Sequence, residues 1–214
     1  TDARIATDTT FRLFFRRSFW NLSYHGSFYR KKIMENSSNE HIDDVLAKQK
    51  AYFLTDETKD VHFRIAMLKK LQHAIEKWEK DLADALWVDL HKSYEEAFLT
   101  EISIVSGEIK KHIRNVQKWA KHEKRKSPIT IFGSKSYIIK EPLGTSLIVS
   151  PWNYPFQLLI NPLVGAISAG CTAILKPSPY VPHISLALEK MIADTFDEKY
   201  IAAKSFSSRK LKYV

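Results

Sequence analysis

Three clusters within one stretch decide the fold: Glu141-Pro142-Leu143-Gly144, then Ser150-Pro151-Trp152-Asn153-Tyr154-Pro155, then Gly170-Cys171-Thr172-Ala173-Ile174-Leu175-Lys176-Pro177-Ser178. Between the first two lies a short apolar run, 146–149, which reads as a buried strand. A helix follows from about Phe156 to Ala169, with a kink or restart expected at Asn161-Pro162 because proline has no amide to donate. Gly170 sits where a helix ends in the left-handed conformation. Residues 172–176 read as a second buried strand, 183–196 as a second helix and 200–203 as a third strand. Strand and helix in alternation is the pattern of a parallel, doubly wound sheet. Ligands of such sheets bind beyond the carboxyl ends of the strands. Both unusual clusters, Pro-Trp-Asn-Tyr-Pro and Lys-Pro-Ser, fall at such ends.

On the amino-terminal side the periodicity changes. Ile129, Ile131, Tyr137 and Ile139 surround Gly133-Ser134 and read as a β-hairpin over 128–140. Upstream, three amphipathic helices are expected over 38–124. The first runs through Ile42, Val45, Leu46 and Tyr52, with Ser37 or Ser38 as its cap. Leu68, Leu71, Ile75, Trp78, Leu82 and Leu86 form the stripe of the second, between 59 and 90. Ile102, Val105, Ile109, Ile113 and Val116 form that of the third.

The chain has 214 residues, 44% hydrophobic and 27% charged, and a formal net charge of +9. That excess suggests nucleic acid or an anionic membrane until it is divided. Residues 1–33 hold seven cations and two anions, residues 204–214 four cations and no anion, and residues 34–203 hold 22 of each. The middle is neutral, and the whole excess lies at the two ends. The first 33 residues mix aromatics with arginines, a composition that could stack on single-stranded nucleic acid or form a disordered extension. Met34 opens the first segment with globular patterning and reads as the natural start, with 1–33 as upstream read-through. Residues 204–214 carry no sheet or helix period and resemble out-of-frame coding. A single cysteine excludes a disulfide framework, a cysteine-based zinc site and a Cys-x-x-Cys pair. No run of eighteen apolar residues is present, so no transmembrane segment is expected.

The eight histidines form no His-Glu-x-x-His, so no metal site is expected, and His62, His73 and His112 read as facing water at helix borders. Cys171, between the helix-ending glycine and a buried strand, reads as a small buried hydrophobe. Asn153 differs. Prolines on both sides restrict its backbone, and an amide held in one orientation suits a developing oxyanion because it needs no reorganisation. Lys176 could aim its ammonium at ribose hydroxyls or a phosphate. Residue type alone equally allows a turn asparagine bonded to its own backbone and a surface lysine.

Residues from about 38 to 203 resemble the aldehyde dehydrogenase superfamily, most of all its shorter-chain, dimeric, class 3-like branch. The resemblance is carried by Glu-Pro-Leu-Gly at 141–144, Ser-Pro-Trp-Asn-Tyr-Pro at 150–155, Asn-Pro-Leu at 161–163 and Leu-Lys-Pro-Ser at 175–178. It implies an α/β fold: N-terminal helices and an oligomerisation hairpin leading into an incomplete, doubly wound, Rossmann-like sheet over 145–203. It implies that the Asn153 amide helps bind the thiohemiacetal oxyanion, and that Val149, Ser150, Pro151 and Trp152 line the nicotinamide-ribose side of the cofactor site. Lys176 would contact the adenosine ribose, Ser178 would belong to the same site, and Tyr154 would wall the aldehyde tunnel. NAD or NADP is the implied cofactor. Pro179 stands where the family often has a ribose-binding acid, so no preference between the two is implied.

The implied reaction is thiolate attack on an aldehyde, reduction of NAD(P)+ and hydrolysis of a thioester to the carboxylic acid. The nucleophilic cysteine and the glutamate of that reaction lie beyond the point where the resemblance stops, and Cys171 does not match the nucleophile. The expectation is therefore an N-terminal portion of a cytoplasmic, homodimeric dehydrogenase, inactive by itself. The rivals are a non-catalytic interaction module pairing with an intact subunit and a nucleic-acid-binding protein acting through 1–33.

Overall fold

The computed structural model describes residues 39–205. The readings for the basic arm 1–33, for the Ser37 or Ser38 cap and for most of 204–214 lie outside them. Helix α1 (Asn39–Phe53) is followed by the thirty-residue α2 (Val61–Leu90). Asp60 starts α2 by accepting the amides of His62 and Phe63 at 3.2 and 3.1 Å. Those backbone bonds hold its carboxyl below the usual carboxylate range. Leu68, Leu71, Ile75, Leu82 and Leu86 are buried along one side of α2, as their spacing requires. A short α3 (Tyr94–Ala97) passes through a π-helical turn (Phe98–Ile102) into α4 (Ser103–Trp119).

The antiparallel pair differs from expectation. Strand β1 (Glu123–Arg125) pairs with β2 (Ser136–Ile138), Lys124 opposite Tyr137, and residues 129–131 form a 3₁₀ turn instead of a strand. Pro128 has no amide to give a ladder, and the Ser127 hydroxyl, bonded to the Ser134 carbonyl at 3.0 Å, pulls the segment into a loop. The strand partner therefore comes from the basic stretch after α4, which ends at Trp119 and not near 124.

Strands β3 (Thr145–Val149), β4 (Thr172–Lys176) and β5 (Ile201–Ala203) make a parallel sheet in chain order, joined by α5 (Gln157–Ala169) and α6 (Pro182–Thr195). The period of two divides the strands between two cores. Ile148, Ala173, Leu175 and Ile201 join the main core with α2, α4, α5 and α6, while Leu147, Ile174 and Ala202 face Ile42, Val45 and Leu46 of α1. Helices thus cover both faces of the sheet, α1 on one and the main core on the other.

Helix α5 runs through Pro162 without the expected interruption. The proline removes one ladder bond, at the Leu158 carbonyl, and the fully buried Leu159, Ile160, Leu163 and Ile167 hold the helix on the core. Gly170 closes it at φ 87°, where a Cβ would come within 2.7 Å of the Thr58 carbonyl and 2.8 Å of the Arg64 guanidinium carbon. Only glycine fits that position.

Candidate functional site

Val149 and Lys176 are register partners at the carboxyl edge of β3 and β4, and the Ser150 amide donates to the Lys176 carbonyl at 3.1 Å. The two strand ends therefore leave the sheet together. Ser150 is buried, its hydroxyl 3.0 Å from the carbonyls of both Pro151 and Pro155, which folds 150–155 into a closed loop. Trp152, Asn153 and Tyr154 lie on the exposed rim of this loop, and half of Val149 is exposed beside them. Among the described residues nothing hydrogen-bonds the Asn153 side-chain amide, so it is not consumed by its own turn. Phe156, fully buried, anchors the far end of the loop.

Two charged residues that sequence reasoning passed over hold this loop. Lys92 donates to Glu101 at 2.6 Å and to the Asn153 carbonyl at 3.0 Å, and its ammonium lies 4.0 Å from the centre of the Tyr154 ring. The other oxygen of Glu101 accepts the amides of Phe156 and Gln157 at 2.9 and 3.2 Å. Those amides open α5, which has no side-chain cap of its own. The Lys92 and Glu101 side chains are only 9% and 0% exposed. The π-helical turn turns Glu101 inward, as such turns often do at functional sites. A signal existed: Glu101 falls four residues after Ala97 and four before Val105, which are both buried, and a carboxylate on a core stripe demands a partner.

Lys176 is 5% exposed, and burial pushes its ammonium below the ordinary lysine range. Ser178 is buried, accepts the Tyr180 amide at 3.4 Å and offers its carbonyl to the Ser185 hydroxyl at 2.8 Å. It shapes the turn into α6, whose amide at Ile184 is capped by Asp89 at 2.9 Å.

Cys171 is buried at the opposite edge of the sheet. The five residues of β4 put it about 16 Å of strand away from the Lys176 end. It is out of reach of a group held by Asn153. His112 is not the water-facing histidine expected. Its ring is 2.6 Å from the Ser168 hydroxyl, 3.0 Å from Glu108 and edge-on to Trp119, because α4 packs against α5 there. A hollow of about 280 Å³ lined by Arg64, His112, Lys140 and Ser168 lies at this amino edge, remote from Asn153. Among the described residues no three His, Cys, Asp or Glu side chains gather as metal ligands, and no helix is long and apolar enough to cross a membrane.

The carboxyl edge carries an exposed indole and apolar shelf at Val149–Trp152, and the buried Lys176 at the start of the turn that holds Ser178. Known proteins agree with that architecture. Residues 31–201 match the sequence profile of the Aldehyde dehydrogenase family. A 4,4'-diaponeurosporen-aldehyde dehydrogenase of Staphylococcus aureus is 46% identical over 160 residues, 75% of this chain and 35% of its own length. Aldehyde dehydrogenase family 3 member B1 of Mus musculus is 38% identical over 168 residues, 78% of this chain and 35% of its own. The substrate-bound structure of Staphylococcus aureus AldH superposes with a TM-score of 0.77 at 43% identity, over 79% of this chain and 37% of that one. The chain thus spans about a third of the length of these relatives. The partial sheet belongs to a Rossmann-like fold shared with these structures, and the chain belongs to the aldehyde dehydrogenase family.

Proposed function

We propose that these residues serve an NAD(P)-dependent oxidation of an aldehyde to a carboxylic acid, in which they supply the oxyanion amide and one side of the cofactor site. The observation that carries this is the unengaged Asn153 amide, held on a closed loop beside the ends of two parallel strands. An amide presented this way stabilises negative charge on a former aldehyde oxygen without having to reorient. Val149, Ser150, Pro151 and Trp152 line the nicotinamide-ribose side, Lys176 donates to ribose hydroxyls, and Ser178 fixes the turn that follows. When bound, NAD(P)+ supplies the electron acceptor. Tyr154, its ring packed under Lys92, stands at the aldehyde side of the same loop.

The single cysteine, Cys171, is buried at the other edge of the sheet and cannot act as nucleophile at Asn153. Spectrophotometry tests both halves of the reading. The chain alone, given aldehyde and NAD(P)+, forms no NAD(P)H, and turnover that disappears in Asn153→Ala would contradict this. In a longer chain carrying these residues and a nucleophile, Asn153→Ala lowers kcat by about 10²–10³. An unchanged kcat there refutes the oxyanion role.

The exposed arm supports homodimerisation as well. Ile129 and Phe132 are 88% and 96% exposed, with Ile131, Tyr137, Ile138 and Ile139 near them in the sequence. Apolar groups so presented are characteristic of an interface. Replacing Ile129 and Phe132 by serine is expected to shift the particle toward monomer in light scattering, and an unchanged mass counts against the arm.

A further inference from the structure

The Lys92–Glu101 pair does more than satisfy two buried charges, because its remaining bonds all go to one loop. Glu101 spends one oxygen on Lys92 and the other on the amides of Phe156 and Gln157. Lys92 spends its second bond on the carbonyl of Asn153 itself, at 3.0 Å. Three backbone groups of 153–157, the Asn153 carbonyl and the Phe156 and Gln157 amides, are thereby tied to residues more than fifty positions away. The loop is also closed on itself by the Ser150 hydroxyl, which donates to the Pro155 carbonyl. Asn153 stands between these ties with its own side chain unbonded.

We propose that Lys92 and Glu101 are positioning residues for Asn153, a buried two-charge clamp that sets the direction of its amide through its backbone. The proposal rests on the reading of Asn153 as the oxyanion donor. Lys92 touches no reacting atom in this arrangement. It fixes the Asn153 carbonyl, while Glu101 fixes the start of α5 and holds the Lys92 ammonium in place. Rotation of the Asn153 peptide would break the Lys92 bond and swing the side chain away from the rim. The aromatic face of Tyr154 under the same ammonium restrains the next residue as well. A structural ion pair would need only to be paired, and a pair of apolar side chains of similar size would replace it. A positioning pair would not be replaced by them.

That difference defines the test, performed on the 214-residue chain with isotopically labelled asparagine nitrogen. The chain has six asparagines, and the side-chain amide signals of Asn153 are those lost in Asn153→Asp. Lys92→Met is expected to shift or broaden the Asn153 amide signals and, in hydrogen exchange followed by mass spectrometry, to speed exchange in the peptide that holds the Phe156 and Gln157 amides. The signals of Asn115 and Asn161 stay in place. Lys92→Arg, which keeps the cation and its donors, is expected to retain the wild-type Asn153 signals. Should Lys92→Met fail to fold, Lys92→Met with Glu101→Leu removes both charges together. That variant leaves no buried charge unpaired but still strands the Phe156 and Gln157 amides, so it is expected to melt below wild type, yet above Glu101→Ala, and still show altered Asn153 signals. Asn153 signals unchanged in the folded double variant would overturn the proposal. A wild-type chain that binds neither NAD+ nor NADP+, but whose Asn153 signals still move when the clamp is removed, would refute the functional reading and leave the clamp standing.

Discussion

Helices α5 and α6 leave parallel strands in the same way, and neither caps itself; carboxylates from the N-terminal helices do it for both. Asp89 on α2 accepts the Ile184 amide at 2.9 Å, and Glu101 accepts the Phe156 amide at the same distance. Their partners differ. Asp89 faces His183, 45% exposed and 2.8 Å away, whereas Glu101 faces Lys92, which is 9% exposed and reaches on to Asn153. One cap closes a loop that carries buried Ser178; the other closes a loop whose rim carries the exposed Asn153. The same structural need, orphan amides at a helix start, is met in one place by a buried carboxylate with an exposed partner and in the other by a pair buried on both sides, beside the candidate oxyanion amide.

The comparison breaks most visibly at Glu101. Glu101→Ala strands the buried Lys92 ammonium and two amides, and chemical denaturation is expected to show a loss of about 3–5 kcal/mol. A loss below about 1 kcal/mol would mean that water already reaches the pair. Asp89→Ala removes a cap whose partner is hydrated, and the same measurement is expected to give about 1–2 kcal/mol. Equal losses at the two positions would erase the distinction.

A third carboxylate sharpens it. Glu189 on α6 is half-buried, and burial raises its pKa from 4.5 to about 7. The fold therefore favours its protonated form, a contribution that is complete below about pH 4.5 and lost as pH rises through about 7. Glu189→Gln is expected to flatten this slope and, since the side chain is only partly buried, to gain about 1 kcal/mol at about pH 8. Denaturation across that range checks it, and a variant less stable than wild type at high pH would show that the charged form is held by Lys204.

Much of this was legible from period alone. The buried strand 172–176 and the stripe from Leu68 to Leu86 stand where the spacing put them, because both are apolar runs deep in the core. The hairpin strand at 129–131 was misread because Ile129 and Ile131 look like a half-buried strand, while Pro128 and the Ser127 hydroxyl close the segment as a loop. Pro162 was expected to interrupt α5 because its missing amide is a local rule and the buried side chains that hold the helix are not local. Asn153 and Lys176 could be picked out since their chemistry follows strand ends. The Lys92–Glu101 clamp could not be paired from sequence, as its contacts to residues 153–157 cross more than fifty residues and no local pattern links them.

The most direct measurement of the central claim is a calorimetric titration of the 214-residue chain with NAD+ and with NADP+, repeated on Lys176→Met. Saturable binding of at least one dinucleotide is expected, weakened about 10- to 100-fold by loss of the Lys176 ammonium. No binding of either, or equal affinity in Lys176→Met, would contradict a cofactor site at the carboxyl edge of β3 and β4.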